Sequence, residues 1–307
     1  MWQKISGYII VLAIVAESIV FAALAPQFLS FENFVNVALS IAVIGILAVG
    51  MTLVILTGGI DLSIGSVVAL AGVVAAIVAQ KTEIVWLAFA AALGIGLISG
   101  AFNGLIVARF RVPPFVVTLA ILTIARGLAF ILSGGRSLGN LPQGFGGLGK
   151  SVFLGVPVSV WLMLAAFAAG WFVLRHTTFG RYVYAVGGNR EAAFLAGVRT
   201  KSVEFRVYVL NGLLVGLAAI VLASRLGAGV PNSGFQYELD VIAAVVVGGT
   251  SLSGGRGSIV STLLGTIFIG VLNNGLNLAG IDPYLQKIIL GVVILLAVLA
   301  DRMNRND

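Results

Sequence analysis

The stretch MTLVILTGGIDLSIGSVVALAGVVAAIVA, from Met51 to Ala79, places two glycines and an acid between two apolar runs. The first run begins earlier and covers Val35 to Thr57, and the second covers Ile64 to Ala79. The first run is long enough to span a bilayer. The second is not, because a helix of this length reaches only about 24 Å of a hydrocarbon core of roughly 30 Å. We therefore predict membrane-spanning helices and a broken segment that dips into the bilayer.

The composition also indicates a membrane protein. Of 307 residues, 60% are hydrophobic and 9% are charged, whereas soluble proteins carry about 25% charged residues. So many apolar side chains cannot all be hidden in one water-soluble core. The expected fold class is all-α, a polytopic transmembrane helical bundle, and we expect residues 1–307 to form a single transmembrane domain.

Several other classes are excluded by composition. The 18 Lys and Arg residues outnumber the 11 Asp and Glu residues, but they are scattered and form no patch for nucleic acid. The chain has no cysteine and one histidine, His176, which excludes thiolate and histidine-cluster metal sites. No paired acids and no nucleophile with an adjacent base are present in the pattern. We expect no metal site and no catalytic residue.

Apolar runs bounded by charges or by Gly and Pro divide the chain into ten segments. They are Ile5–Ala25, Val35–Thr57, Ile64–Ala79, Ile84–Ala108, Phe115–Leu132, Val158–Leu174, Val207–Ala223, Leu239–Val247, Ile259–Leu272 and Tyr284–Ala300.

The polar interval after the sixth segment sets the orientation. It runs from Arg175 to Arg206 and holds six of the 18 basic residues, so the positive-inside rule makes it cytoplasmic. Counting crossings in both directions then places both termini in the cytoplasm. Arg136 and Lys150 fall outside, against the rule, but more basic positions keep the rule than break it.

Two short sequences indicate an internal repeat. NGLIVARFRVPPF (Asn103–Phe115) resembles NGLNLAGIDPY (Asn274–Tyr284), and each closes one segment and opens the next. The count above places them on opposite sides of the membrane, as in a five-plus-five inverted repeat. Chance similarity of glycine-containing turns is an equal alternative at this point.

GFGGLGKS, Gly144–Ser151, matches the pattern of a phosphate-binding loop. Such a loop must join a buried strand to a helix, whereas here another glycine-rich stretch precedes it and the orientation places it outside the cell. We interpret it as a flexible external loop, so any ATP hydrolysis has to come from another chain.

Polar side chains within or beside apolar runs are candidates for a transport pathway, since a buried Asp costs roughly 2.5–3.5 kcal/mol at the bilayer centre. For the first break the alternative is that Asp61 or Ser63 caps the next helix at the interface. For the asparagines near the end of the chain the alternative is hydrogen bonding between packed helices. The pathway candidates are Gly58, Gly59, Asp61, Ser63, Asn273 and Asn274.

A second break lies in YELDVIAAVVVGGTSLSGGRGS, Tyr237–Ser258. Its nine apolar residues, Leu239–Val247, are too few to span and predict a re-entrant half-helix. Glu238 and Asp240 are favoured by the positive N-terminal end of that helix. Arg126 lies inside another apolar run and requires an acidic or carbonyl partner.

The cytoplasmic interval contains GGNREAAFLAGV, Gly187–Val198. It reads as a turn, a short helix with Ala192, Ala193 and Leu195 available for packing, and Gly197 as a stop. The residues alone leave open whether this helix docks onto another protein or is a solvated loop helix.

Four stretches in this order cover nearly the whole chain: MTLVILTGGIDLSIGS (Met51–Ser66), GRYVYAVGGNREAAFLAGV (Gly180–Val198), YELDVIAAVVVGGTSLSGGRGS (Tyr237–Ser258) and NNGLNLAG (Asn273–Gly280). Together they resemble the membrane subunits of the ribose-type branch of bacterial ABC sugar importers.

The resemblance implies a multi-pass permease in the lipid of the bacterial cytoplasmic membrane that imports a monosaccharide, ribose or a similar pentose or hexose. It implies pairing with a second permease copy or a paralogue. A periplasmic or tethered binding protein delivers the sugar, and two ABC ATP-binding subunits drive transport. ATP and Mg²⁺ bind to those subunits, so no cofactor and no enzyme activity are expected on this chain.

The family's cytoplasmic coupling element, E-A-A-x-x-x-G, maps onto the loop of residues 176–206 and favours the docking interpretation of the short helix. The candidate coupling residues are Gly188, Asn189, Arg190, Glu191, Ala192, Ala193 and Gly197.

The competing class is a secondary transporter or channel. Its inverted repeats and broken helices would give the same hydropathy pattern. It would be favoured by a buried chain of ionisable residues, whereas the apolar runs suggest only isolated candidates here, namely Asp61, Arg126 and Glu17.

Overall fold

The computed structural model describes the backbone of residues 2–303 and the side chains of residues 10–299. Within that range the all-α fold class is confirmed. The helices are α1 Trp2–Leu24, α2 Phe31–Leu56, α3 Ile64–Thr82, α4 Val85–Phe110, α5 Pro114–Ser133, α6 Gly147–Lys150, α7 Val158–His176, α8 Thr178–Gly188, α9 Arg190–Leu195, α10 Thr200–Leu226, α11 Tyr237–Val247, α12 Ile259–Leu278 and α13 Pro283–Met303. A 3-10 turn covers Pro26–Leu29, and strands β1 Val152–Phe153 and β2 Val156–Pro157 form a short antiparallel hairpin.

Each of the ten predicted segments coincides with one helix, namely α1 to α5, α7 and α10 to α13. Within the described residues, seven helices are long and apolar enough to cross a membrane, and α1 and α13 contribute the shorter apolar stretches Ile10–Leu24 and Pro283–Leu299. The predicted start of α10 at Val207 was wrong by two turns, because the polar residues from Thr200 onward already belong to the helix.

The two repeat-like turns lie at opposite ends of the bundle. The turn between α4 and α5 contains Arg111 and shares a cleft with Arg190, at the end that carries α8 and α9. We call this the α9 end. The turn between α12 and α13 follows Asn274, which hydrogen-bonds to Asn33 at the start of α2 and therefore at the opposite end. This placement agrees with an inverted arrangement, and the five-plus-five repeat itself stays a prediction.

Helix α2 occupies the centre of the bundle, and its residues from Gly45 to Leu56 are all buried. Around it, α4 and α10 approach each other through their backbones. Gly96 and Gly100 on α4 face glycines on α10, and a methyl group at Gly100 would overlap the backbone of Tyr208 and Gly212. Small residues allow such close contact in membranes, where van der Waals packing holds helices together.

The first break is a sharp turn between α2 and α3. Gly58 has φ +81°, a conformation that favours glycine, and the amide of Gly59 bonds back to the Val54 carbonyl at 3.0 Å. The chain then passes through buried Asp61 and Ser63 before α3 begins. The prediction of a non-helical segment between two apolar runs is confirmed. The prediction that the second run is too short to span was wrong, because α3 continues past Ala79 to Thr82 and its 19 residues are enough to cross a membrane.

The break predicted within Tyr237–Ser258 is the loop that follows α11. A further break, which the sequence does not mark, precedes that helix: residues 227–236 separate α10 from α11, and we call them the second break from here on. The chain forms a backbone bridge between Gly229 and Leu138 at the end opposite α9, and then runs inward until Gly234 contacts Gly65 near the start of α3. Helix α11 has 11 residues, about 16 Å of rise, and is followed by a loop in which the Gly255 amide bonds to the Leu56 carbonyl at the α9 end. A short half-helix is therefore present where the sequence predicts one.

The contact between α4 and α10 gives a direct test of the packing. Gly100→Ala should destabilise the protein by about 1–3 kcal/mol, because the added methyl group has no room between the two backbones. Thermal unfolding in detergent measures the effect. Gly94→Ala is the matched control: this glycine lies on the same helix with open space around it, so its melting temperature should be unchanged or higher. Equal behaviour of the two variants would contradict the close packing.

Candidate functional site

The short helix α9 is folded as the sequence predicts and presents an apolar surface. The Asn189 side chain caps its start by accepting a hydrogen bond from the Ala192 amide at 2.9 Å, and Gly197, with φ +85°, follows its end. Ala193 is buried against the bundle, whereas Phe194 and Leu195 are 66% and 78% exposed. Exposed apolar side chains on an anchored helix are typical of a protein-binding surface.

An ion pair fixes α9 to α10. The Arg190 guanidinium donates from Nε and Nη2 to the two carboxylate oxygens of Glu204, at 2.6 and 2.9 Å. This two-bonded geometry is the strong form of an arginine–carboxylate contact, and hydrogen bonding to Glu204 raises the pKa of Arg190. The pair therefore links α9 directly to α10. The sequence pattern identified Arg190 as a candidate but gave no indication of Glu204.

Two clefts surround this ion pair. One, of about 640 Å³, lies beside α9, and one of about 270 Å³ extends to the first break. Arg111 and Arg190 line both clefts, and Gly58 and Gly59 line the smaller one. The candidate coupling residues and the glycines of the candidate pathway thus share one region. The larger cleft is lined by Arg111, Arg190, Glu191, Phe194, Arg199, Thr200, Lys201 and Ser202.

Asp61 is the centre of a buried hydrogen-bond cluster. Its Oδ1 accepts from the amide and the hydroxyl of Ser63, at 2.9 and 2.6 Å. Its Oδ2 accepts from Asn211 of α10 at 2.8 Å and from Asn103 of α4 at 3.5 Å. Asn103 also donates to the Ser63 hydroxyl at 3.0 Å. These four side chains are at most 2% exposed, so the cluster ties the first break to two helices.

This geometry modifies both interpretations of Asp61. Asp61 accepts a hydrogen bond from the Ser63 amide directly before α3, as a capping residue would, and this contact is buried within the protein. No described feature tests whether a solute reaches Asp61 or Ser63 during transport, and their role in a pathway stays a prediction. Their observed contacts hold the break in place.

One face of α10 connects the ion pair to the cluster. Glu204, Tyr208 and Asn211 follow one another at helical spacing, so they lie along the same side of the helix. Tyr208 is 1% exposed, and its hydroxyl lies beside Gly59. Helix α10 therefore contacts α9 through Glu204 and the first break through the other two residues.

The asparagines of α12 lie far from this region. Asn274 exchanges two hydrogen bonds of 2.9 Å with Asn33 of α2, which is the helix-packing alternative. Asn273 is half-buried, and nothing described assigns it a partner or a solute.

The charged residues on the helices next to the second break have the partners that the sequence analysis expected. Arg126 donates from Nη1 to the carbonyls of Pro231 and Ser233, at 2.8 and 2.9 Å. Glu238 and Asp240 lie in the first turn of α11, where the helix N-terminus favours negative charge. Asp240 also lies 3.9 Å from the Lys287 ammonium of α13.

The glycine-rich loop Gly144–Ser151 does not have the geometry of a phosphate-binding loop. Residues Gly147–Lys150 form a single helical turn packed on the end of α10, where the Gly149 amide donates to the Ser224 hydroxyl at 3.1 Å. The strand β1 follows this turn instead of preceding it. Among the described residues, no group of three or more His, Cys, Asp or Glu could hold a metal ion.

Membrane-spanning helices with polar breaks inside the bundle, and an apolar helix exposed at one end, define a multi-pass membrane transport protein. Residues 33–298 match the family described as the permease component of the branched-chain amino acid transport system. This chain belongs to that permease family.

Curated relatives align over nearly the whole chain. The ribose import permease protein RbsC of Escherichia coli K12 is 46% identical, over 92% of this chain and 90% of the relative. RbsC of Bacillus subtilis 168 is 45% identical, over 92% and 89%. The L-arabinose transport system permease protein AraH of Escherichia coli K12 is 39% identical, over 97% and 90%. No solved structure matches the chain.

The buried cluster predicts a measurable stability effect. Asn211→Ala removes the shorter amide bond to the Asp61 carboxylate, and a hydrogen bond to a charged group is worth about 1.5–3 kcal/mol. We expect a lower melting temperature in detergent. Asn36→Ala, at an exposed position of α2, is the control and should leave the melting temperature nearly unchanged. A loss at Asn36 as large as that at Asn211 would show that the cluster has no special role.

Proposed function

We propose that this chain is the membrane-spanning permease subunit of an ABC importer for a monosaccharide. It works in the bacterial cytoplasmic membrane with both termini in the cytoplasm. The observation that carries the proposal is α9, a short helix that exposes Phe194 and Leu195 and is joined to a spanning helix through Arg190 and Glu204. A transporter without an ATPase partner has no need for such a helix.

The family and the activities named for the relatives support a set of partners. Two ABC ATP-binding subunits bind ATP and Mg²⁺ and perform hydrolysis, and this chain binds neither. An extracytoplasmic binding protein delivers the sugar, and a second permease, a copy or a paralogue, completes the membrane part. Ribose and L-arabinose, the sugars in the names of the relatives, are the first candidates.

The geometry supports alternating access driven from α9. Closure of the ATPase subunits moves α9, and the bond between Arg190 and Glu204 transfers this movement to α10. Helix α10 then displaces the first break, which it contacts through Tyr208 and Asn211. The sugar needs only weak contacts along the way, since a site that binds too tightly does not release.

The proposed docking surface is tested with two matched leucines. Leu195→Glu places a charge on the exposed face of α9 and should abolish co-purification of the ATP-binding subunit from detergent-solubilised membranes. It should also abolish ATPase activity stimulated by sugar-loaded binding protein. Leu154→Glu is the control, because Leu154 is equally exposed, at 77% against 78%, but lies in the hairpin at the other end.

Three outcomes would count against the proposal. The first is an ATP-binding subunit that co-purifies equally with both variants. The second is a wild-type protein that purifies alone and moves ribose or arabinose in proteoliposomes without ATP, which would identify a secondary transporter or channel. The third is transport that fails in both variants alike, which would place the effect outside α9.

The ion pair predicts a defect in coupling that a second change repairs. Arg190→Glu sets two carboxylates against each other and should lower sugar transport at least tenfold while α9 still binds the ATPase subunit. Arg190→Glu combined with Glu204→Arg restores opposite charges and should recover a substantial part of transport. The measurement is sugar moved per ATP hydrolysed in proteoliposomes.

Arg175→Glu, an exposed change in the last turn of α7 at the same end, controls for the altered charge. If the double variant transports no better than Arg190→Glu, the link between α9 and α10 does not depend on this pair.

A further inference from the structure

The segment between α10 and α11, residues Gly227–Gln236, enters the bundle from the end opposite α9. We call it the re-entrant loop. At its start Gly229 contacts Ala76 of α3, and near its end Gly234 contacts Gly65 of the same helix. The two contact positions on α3 are eleven residues apart, which corresponds to about 16 Å along the helix axis. The loop therefore descends to roughly half the depth of the bilayer.

Non-helical backbone at this depth cannot face lipid, because lipid offers no hydrogen-bond partners to its amides and carbonyls. Part of this demand is met by Arg126, which donates to the carbonyls of Pro231 and Ser233. Arg126 lies seven residues before Ser133, the last residue of α5, about 10 Å below that helix end. A guanidinium at this depth also requires protein or water around it.

More charge lies close to the loop. The Glu238 carboxylate lies beside Gly65, which Gly234 of the loop also contacts. Asp240 lies 3.9 Å from the ammonium of Lys287, whose side chain is 53% exposed. Together with Arg126, four charged side chains therefore lie on the helices near the end of the loop. Charged side chains are rare on surfaces that face lipid, so these four side chains indicate that the end of the loop does not face lipid.

The loop itself exposes side chains suited to a sugar. Asn232 is exposed and Phe235 is 62% exposed. An amide both donates to and accepts from hydroxyl groups, and an aromatic ring offers an apolar face for the C–H face of a pyranose or furanose ring. By contrast, the face of α5 opposite Arg126 exposes Ile124 and Leu128, at 54% and 43%, and is purely aliphatic at a similar depth.

We propose that the re-entrant loop borders a water-filled cavity and that Asn232 and Phe235 contact the monosaccharide as it crosses. The identity of the cargo rests on the proposed function, whereas the aqueous exposure of the loop rests on the geometry alone. The sugar-contacting surface then lies on the second break, away from the asparagines of α12 that the sequence suggested.

The chain contains no cysteine, so single cysteines can be labelled without background. Asn232→Cys and Phe235→Cys are compared with Ile124→Cys and Leu128→Cys in the full transporter in proteoliposomes. The reagent is a charged, membrane-impermeant methanethiosulfonate, which needs a hydrated thiol. We expect the two loop cysteines to react at least tenfold faster than the two on α5. Binding protein loaded with D-ribose or L-arabinose, added with ATP, should slow the loop reactions several-fold.

Loop cysteines that react as slowly as those on α5 would overturn the inference, since the loop would then be covered by a second protomer or by lipid. Fast labelling that neither sugar slows, while the same preparations import that sugar, would overturn the sugar contact. Sugar-stimulated ATPase activity is measured on every preparation. Failure of the inference therefore leaves the permease assignment standing, and failure of that assignment is detected separately.

Discussion

A bilayer supplies no hydrogen bonds to the polypeptide backbone, and this constraint shapes the whole molecule. The helices meet it through their own backbone bonds. The two breaks, Gly58–Ser63 and Gly227–Gln236, do not, and each has a charged side chain beside it, Asp61 buried and Arg126 half-buried. Asp61 accepts from the backbone amide of Ser63 in the first break, and also from the side chains of Asn103 and Asn211. In the second break Arg126 donates to two loop carbonyls. In the first break a carboxylate accepts a hydrogen bond from a backbone amide, and in the second break a guanidinium donates hydrogen bonds to backbone carbonyls.

Much of this architecture could be predicted because it depends on residues that lie close together in the sequence. The length of an apolar run indicates whether a helix can span, so all ten segments could be located, and the glycines and the acid between two of them marked the first break. The second break, Gly227–Gln236, was not marked. Arg126 was expected to need a partner on energetic grounds alone, and it has two. The capping asparagine and the terminal glycine of α9 likewise act within a few residues of one another.

What could not be predicted depends on residues that are distant in sequence. Asn211 lies 150 positions from Asp61, and an isolated asparagine in an apolar run does not reveal which helix it meets. Glu204 was hidden for a different reason: it belongs to the polar start of α10, which hydropathy assigned to a loop. Asn274 stood out in the sequence, yet it pairs with Asn33. A polar residue in a membrane-spanning helix indicates that a hydrogen-bond partner exists, but the three-dimensional structure is needed to identify that partner.

The two breaks also explain how a movement at one end can reach the interior. Helix α3 runs from its break toward the end opposite α9, and α11 runs from its own break toward the α9 end, so their N-termini meet at Gly65 and Gly234. The Glu238 carboxylate lies at this junction, where both positive helix ends favour a negative charge. An uninterrupted helix resists bending along its length, whereas loop residues at a break can absorb a change in backbone angles. Helix α10 contacts both the docking helix α9 and the first break. A displacement of α9 would therefore act on the first break, where deforming the bundle requires less free energy than bending a continuous helix.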